Sequence, residues 1–198
     1  DLLMTRMILV ALALVLPSMS SGAALSQSAS SLSLAAENLA KQFIGRLDSN
    51  QESIKIGLTA FPHIDDSCSE LSNFFHDELL FQIFNAGGDR VSVVERTQLS
   101  QVFAELEFQQ QGDVDSNTAK RVGNILGVDG IVIGSLTDLG DRIRANGRLI
   151  TTETGAVTSV ARSDFPETAT ISGLMERSST GSCGFGTSSP SPAHTARQ

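Results

Sequence analysis

The stretch that decides the fold runs from Thr118 to Asp141 and reads TAKRVGNILGVDGIVIGSLTDLGD. In its first part, apolar or small residues recur at helical spacing, and Gly127 then supplies a typical helix end. These residues are Ala119, Val122, Gly123 and Leu126. The second part, residues 130–136, is a short apolar run of the kind that forms a buried strand. The stretch therefore predicts a helix followed at once by a strand.

Downstream of this stretch the sequence changes from a helical to an alternating period. Gly140-Asp141 predicts a turn, and apolar and polar residues then alternate from Arg142 to Thr151, the pattern of a half-exposed strand. Residues 153–155 (Glu-Thr-Gly) predict a second turn, and residues 156–162 a last strand. Two turns that join three strands predict an antiparallel meander.

Upstream the sequence alternates between helical and strand-like segments. They are a helix over roughly 32–47, a strand over 54–61, a helix opened by a capping box at 67–70 and stopped by Gly87-Gly88, a strand at 91–94 and a helix capped by Thr97. The second of these helices should bury one face, formed by Leu71, Phe74, Phe75, Leu79 and Ile83. The whole pattern predicts an α/β fold with α+β character: a mixed sheet with packed helices and a C-terminal antiparallel meander.

The N-terminal residues are typical of an export signal. A short region from Met4, the expected start, to Arg6 precedes an apolar run over residues 7–16, and Gly22-Ala23-Ala24 supplies a small-residue cleavage site. The run is much shorter than the roughly 20 residues that a spanning helix needs. We therefore expect a signal peptide over residues 1–24 and a periplasmic protein, the alternatives being a short membrane anchor or a buried helix.

Composition divides the rest of the chain and limits its function. We expect a lead-in and helix over 25–50, one folded domain over 51–165, and an extension over 166–198. The extension is rich in Ser, Gly, Pro and Thr from about 178 and should be disordered there. A net charge of −8 argues against a nucleic-acid partner, whose binding needs a basic face.

The sequence indicates no catalytic, metal or cofactor site. It contains none of the common hydrolase, zinc-protease or nucleotide-binding motifs. Two histidines and three aspartates lie near one another in the sequence, and a metal site is one interpretation. They lack the spacing of metal ligands, so we favour the alternative that they lie on a solvated loop and a solvated helix face. They are His63, His76, Asp65, Asp66 and Asp77. We expect a protein that is not an enzyme and has no cofactor.

A row of arginines is the clearest candidate for an interaction site. Arg142, Arg144 and Arg148 lie at even spacing on one predicted strand, which places all three on one face of the sheet. Such a row suits an acidic partner or the pairing of two subunits. The alternative is the solvated outer face of a sheet whose other face forms the core.

The chain has two cysteines, Cys68 and Cys183. After export they could form a disulfide that ties the C-terminal extension to the start of a helix, or remain two free thiols. Neither cysteine directly follows the apolar N-terminal run, as lipid attachment would require. We therefore expect no lipid anchor, and the mature chain contains no apolar run long enough to span a bilayer.

Three segments together resemble the CsgG family of bacterial envelope proteins. They are VSVVERTQLSQVF at residues 91–103, the stretch from Thr118 to Asp141, and RLITTETGAV at residues 148–157. The family includes the curli secretion channel, and the flagellar outer-membrane protein FlgO and an activator lipoprotein of peptidoglycan synthases share its domain type. The resemblance implies this fold and an envelope location. Within it, Glu95-Arg96 matches the family pattern and is a candidate partner or subunit contact, the alternative being a structural ion pair.

The chain also departs from the family pattern. Thr151 stands where the family usually has Asp, and Ala156 where it usually has Glu. The lipid-attachment Cys is missing, and the connections are too short to hold the transmembrane hairpins of the channel-forming members. The resemblance therefore does not support a pore.

Three functions of different kinds compete, and the resemblance implies the first two. The first is an exported, non-enzymatic accessory protein of cell-surface assembly, of curli or flagellar type. The second is a periplasmic activator or regulator that binds a peptidoglycan synthase, and the third is an enzyme without a recognised motif. In the first two cases the partners are envelope proteins, with a homo-oligomer and peripheral association with the outer membrane as open alternatives.

Overall fold

The computed structural model describes residues 21–47, 52–94, 96–105 and 116–178 of the chain. The helices are α1 (Ser21–Ile44), α2 (Glu70–Gly87), α3 (Arg96–Glu105), α4 (Ser116–Leu126) and α5 (Ala169–Glu176). The strands are β1 (Ile54–Leu58), β2 (Val91–Val94), β3 (Gly130–Asp138), β4 (Arg142–Thr151) and β5 (Val157–Pro166). The first 20 residues, which hold most of the expected export signal, lie outside the described residues, as do Glu95 and the region after Ser178 with Cys183.

The five strands form one mixed sheet in the order β2-β1-β3-β4-β5. β1 pairs in parallel with β2 and with β3, while β3, β4 and β5 pair antiparallel as a meander. The ladder between β3 and β4 runs without a break from Gly130 opposite Thr151 to Asp138 opposite Ile143. The predicted fold class and meander are confirmed.

The larger core lies between one side of the sheet and the helices α1, α2 and α5. Alternate residues of β4 face this side because side chains in a strand point in turn to opposite faces. The fully buried large side chains include Leu39, Phe43, Leu58, Phe61, Phe75, Leu79 and Phe165. Gly147 lets α1 approach closely, since a Cβ there would lie 2.7 Å from Cζ of Phe43.

A smaller core lies on the other side of the sheet, under α3 and α4. Its buried members include Val94, Leu99, Val102, Phe103, Ala119, Val122, Ile131, Ile133 and Ile150. Beyond Ile133 the side chains that β3, β4 and β5 present on this side are half-exposed or exposed. This part of the sheet is therefore not covered by any element that the structure describes.

The predicted start of α2 is wrong by two residues. The N-cap is Ser69, whose backbone N–H donates to Oγ of Ser72 at 3.3 Å. Ser67 is instead held by the preceding turn, because its N–H and hydroxyl donate to Oδ1 of Asp65 at 3.0 and 2.5 Å. The sequence allowed both serines to cap the helix, and the local turn decided between them.

Three further differences concern the extent of elements and burial. Phe74, expected in the core, is 46% exposed because the buried face of α2 is narrower than the apolar pattern suggested. Helix α5 lies where only an extension was expected, and it is capped by Oγ of Thr168, which accepts from the N–H of Ile171. α1 begins before residue 32, so the expected cleavage point after Ala24 falls in its first turn.

In the described ranges, no helix is both long enough and apolar enough to cross a bilayer.

Candidate interaction surface

The arginine row lies on the uncovered part of the sheet. Arg142, Arg144 and Arg148 alternate along β4 with Ile143 and other core residues, so they point away from α1 and α2. Neighbouring strands add residues on the same side, because directly paired residues share a face. Those neighbours are Ile133, Ser135 and Thr137 on β3 and Val160, Arg162 and Asp164 on β5. We call this set, with Asn146 and the three arginines, the arginine face.

Arg142 and Arg144 are each held in a local ion pair. Arg144 lies opposite Asp164 in the register, and its Nε and Nη2 donate to the two carboxylate oxygens, each at 2.8 Å. Arg142 makes the same two-pronged contact with Asp141 in the preceding turn, at 2.9 and 2.7 Å. The arginine row is therefore a network of alternating charge rather than a bare positive stripe.

These contacts shift the pKa of each partner. The hydrogen bonds from Arg144 lower the pKa of Asp164, and those from Arg142 lower the pKa of Asp141. The same contacts raise the pKa of both guanidinium groups. All four groups therefore stay charged across the whole physiological range of pH.

Replacing Asp164 by Asn is expected to destabilise the chain slightly at neutral pH and not at strongly acidic pH. Because the native pKa lies below the ordinary value of 3.8, the carboxylate stabilises the fold above that value and loses this effect as pH falls through the native pKa. The effect is small because the pair is exposed. Urea unfolding at several pH values measures it, with Glu153→Gln in the β4–β5 turn as the control. A difference from wild type that persists unchanged in acid would contradict the assignment.

A groove of about 390 Å³ lies at one end of the arginine face. Its lining includes Ile133 and Arg148 of the sheet, Val160 of β5, and the loop after β1 with His63, Ile64 and Asp66. Ile64 is 79% exposed and Val160 is 75% exposed, although both are aliphatic. The groove therefore combines an apolar floor and rim with charged groups at its edge.

His63 and Ser69 form a close pair that resembles a catalytic base and nucleophile. Nε2 of His63 lies 2.7 Å from Oγ of Ser69. Burial lowers the pKa of His63, and the carboxylates of Asp65 and Asp138 act in the opposite direction. Ser69, however, is 2% exposed and forms the N-cap of α2, so a substrate has no access to its hydroxyl. The pair fastens the loop after β1 to α2.

The histidines and aspartates considered as metal ligands do not come together in one site. His76 is buried in α2 and its Nδ1 contacts Oδ1 of Asp77 at 3.1 Å, whereas His63 contacts Ser69. Within the described part of the chain, no group of three or more His, Cys, Asp or Glu side chains could hold a metal ion. Nε2 of His76 is buried without a hydrogen-bond partner, a feature that the spacing of the sequence did not reveal.

Arg96 joins two helices. Its Nη1 donates to Oδ1 of Asn73 at 2.8 Å, which ties the start of α3 to α2, and its carbonyl accepts from Oγ of Ser100 at 2.8 Å. This favours the structural interpretation of Arg96. Its neighbour Glu95 is not among the described residues.

The chain returns to the neighbourhood of Cys68 after α5. Ser178 pairs with Ser69 as an antiparallel bridge, and the N–H of Glu70 donates to the carbonyl of Arg177 at 2.9 Å. The side chains of Arg177 and Glu70 also form an ion pair. Cys68 is half-buried and is not a free thiol. The C-terminal extension therefore leaves the domain beside Cys68.

These features define a class of protein: an α/β domain with a mixed sheet, whose exposed candidate sites are the arginine face and the groove beside it. The identity within that class follows from residues 66–164, half of the chain, which match the family described as curli production assembly/transport component CsgG. The chain belongs to the CsgG family, and the resemblance of its sequence to that family is confirmed.

Solved structures show the same fold. The LpoB C-terminal domain from Salmonella enterica superposes with a TM-score of 0.54 at 14% identity, over 69% of this chain and 98% of that one. The LpoB C-terminal domain from Escherichia coli gives a TM-score of 0.54 at 13% identity with the same coverage. The NMR structure of E. coli LpoB gives 0.53 at 14% identity, over 69% of this chain and 68% of that one. No curated protein matches the sequence significantly.

Proposed function

We propose that the chain is an exported, non-enzymatic accessory protein of bacterial cell-surface assembly, of curli or flagellar type. The observation that carries this proposal is the family match over residues 66–164, which spans α2 to most of β5 and therefore most of the folded domain. The buried hydroxyl of Ser69 supports a non-enzymatic role, since the one close base–nucleophile pair described above is closed to substrate. The protein would act by binding other envelope proteins.

Deletion of the gene tests this function. We expect weaker surface-fibre formation or weaker motility, restored by the full chain supplied from a plasmid. Fibre formation is measured by amyloid-dye binding to whole cells, and motility by spreading in soft agar. Normal behaviour of the deletion strain in both assays would exclude the proposal.

A second candidate is a periplasmic regulator that binds a peptidoglycan synthase. The likeness of the fold to LpoB favours it, although at 13–14% identity that likeness concerns the fold alone. The test is the rate of glycan polymerisation by a purified synthase with and without the full chain. An unchanged rate, together with no co-purification of the synthase, would exclude this candidate.

We further propose that the protein resides in the periplasm, with peripheral association with the outer membrane. The family match supports an envelope location. Fractionation of cells, followed by a high-salt wash of the membranes, measures it. Full retention in the cytoplasmic fraction would contradict the proposal, and retention on washed membranes would contradict a peripheral association.

A disulfide between Cys68 and Cys183 is expected in the exported protein. The chain passes Ser69 at Ser178, and five residues of extended chain span more than the distance back to Cys68, which supports the pairing. Peptide mapping without reductant should recover the linked peptide, and reduction should lower the free energy of unfolding by about 2–4 kcal/mol. Cys183→Ser is the control, because its stability should not respond to reductant. Recovery of two alkylated thiols from the periplasmic protein would refute the pairing.

A further inference from the structure

We propose that the arginine face is a docking site for an extended acidic segment of a partner protein, whose aliphatic side chains pack in the groove against Ile64 and Val160. The proposal deepens the proposed function, because it rests on the protein acting by contact with another envelope protein. It assigns the surface and the chemistry of the occupant.

Charge is the first reason. The charged side chains on the arginine face and in the turn beside it leave an excess of two positive charges, on a chain whose net charge is −8. They are four arginines and two aspartates: Arg142, Arg144, Arg148, Arg162, Asp164 and Asp141. A positive surface on an acidic protein attracts an acidic partner and repels a basic one.

Exposed apolar surface is the second reason. Ile64 and Val160 both line the groove and are 79% and 75% exposed, and the buried Ile133 lines it as well. Aliphatic side chains of a partner that pack against Ile64 and Val160 would bury this apolar surface, in an apolar centre with a polar rim.

The edge of the sheet is the third reason and indicates an extended occupant. Val160 belongs to β5, which is ten residues long and pairs with β4 alone among the described strands. Helix α1 already contacts this edge at Gln42, whose Nε2 donates to the carbonyl of Arg162 at 3.3 Å and whose carbonyl accepts from Oγ of Ser159 at 3.4 Å, so a partner strand would replace these two weak contacts. A strand edge of this length can pair with a strand of another chain, whose alternate side chains would then lie over the arginine face.

A second copy of this chain fits the surface less well than an acidic partner. Stacking two arginine faces would bring like charges together, and two copies, each with a net charge of −8, also repel each other as a whole. We therefore commit to a different protein as the occupant.

Binding of two labelled peptides to the full chain tests the docking site. One peptide alternates Glu and Val over the length of β5, and the other alternates Lys and Val. Fluorescence anisotropy should show saturable binding of the acidic peptide alone, weakened as salt rises because the attraction is screened. Equal binding of the two peptides, or no binding of the acidic one, would overturn the proposal.

Variants locate the site. Arg148→Glu combined with Arg162→Glu should weaken binding of the acidic peptide by about tenfold or more, a loss of about 1.4 kcal/mol. The control is Lys120→Glu combined with Arg121→Glu on the exposed side of α4, which changes the net charge equally. Arg162→Glu alone, on the exposed edge strand, keeps the test valid if the double variant does not fold. Equal losses in the arginine-face and α4 variants would overturn the assignment.

Two more measurements separate this proposal from its alternatives. If light scattering shows a dimer that Val160→Glu dissociates, the occupant is a second copy and the proposal is wrong. The double variant Arg148→Glu, Arg162→Glu can also be supplied to the deletion strain. If it corrects a fibre or motility defect as well as the wild-type chain does, the docking site is wrong while the proposed function stands. A deletion strain without any defect would refute the proposed function, whereas the peptide result would still decide the docking site.

Discussion

Replacing Phe75 by Ala is expected to lower the free energy of unfolding by about 3–5 kcal/mol, the usual loss for a large aromatic side chain in a core. Phe75 is fully buried, and its ring lies 5.2 Å from that of Phe61 and 5.9 Å from that of Phe165. It therefore joins α2 to the loop after β1 and to β5, and its removal leaves a cavity between three elements that cannot all move inward.

Urea unfolding measures this effect, and α2 supplies its own control. Phe81 lies on the same helix but is 59% exposed, so Phe81→Ala should change the free energy of unfolding by less than about 0.5 kcal/mol. Similar losses in the two variants would mean that α2 does not bury the face that the structure shows.

Replacing Gly134 by Ala should also destabilise the fold strongly, by about 1–3 kcal/mol or more. A Cβ on Gly134 would lie 2.1 Å from Cε1 of Phe61 and 2.5 Å from the backbone oxygen of Asn146. The ring could turn aside only by disturbing Phe75, and the oxygen could move only by breaking the β3–β4 ladder. The added methyl group therefore has no inexpensive way to fit.

The matched control is Gly173→Ala in α5. A Cβ there would approach only Nη1 of Arg177, at an ordinary 3.7 Å, and Ala is a better helix former than Gly by about 1 kcal/mol. We expect Gly173→Ala to be neutral or stabilising and Gly134→Ala to lower the midpoint of thermal unfolding by several degrees. Equal midpoints for the two variants would contradict the close approach of Phe61 to β3.

The two core predictions also bear on the proposed docking site. Gly134 lines the groove, so a shift of β3 or of the loop after β1 would change the distance between Ile64 and Val160. A Gly134→Ala chain that still folds should therefore bind the acidic peptide less tightly. The charge variants described above avoid this complication because they leave the core unchanged.

Much of the fold could be predicted from local pattern. The alternation from Arg142 to Thr151 correctly assigned each side chain of β4 to a face, because a strand has no other way to separate apolar from polar residues. Gly87-Gly88 and Gly127 correctly marked the ends of α2 and α4. Gly88 and Gly127 each adopt a positive φ, the conformation that commonly ends a helix.

The candidate site was only partly visible in the sequence. The spacing placed Arg142, Arg144 and Arg148 on one face, but it did not indicate that Asp164 would lie opposite Arg144. That contact depends on the register of β4 against β5, which is set by the turn between them. The groove was missed for a related reason, since Ile64 and Val160 are far apart in the chain and meet only when the loop after β1 crosses β3.

Sequence alone determined the order of the helices and strands up to β5, the family and the alternation of β4 between two faces. These features depend on period, turn residues and short motifs read within a few residues of one another. Tertiary structure alone decided which serine caps α2, that Phe74 is 46% exposed, that the chain after α5 returns to Ser69, and that Arg142 and Arg144 pair with aspartates. Each of these outcomes depends on a neighbour that is distant in the chain, or on competition between nearby groups that only the folded geometry resolves.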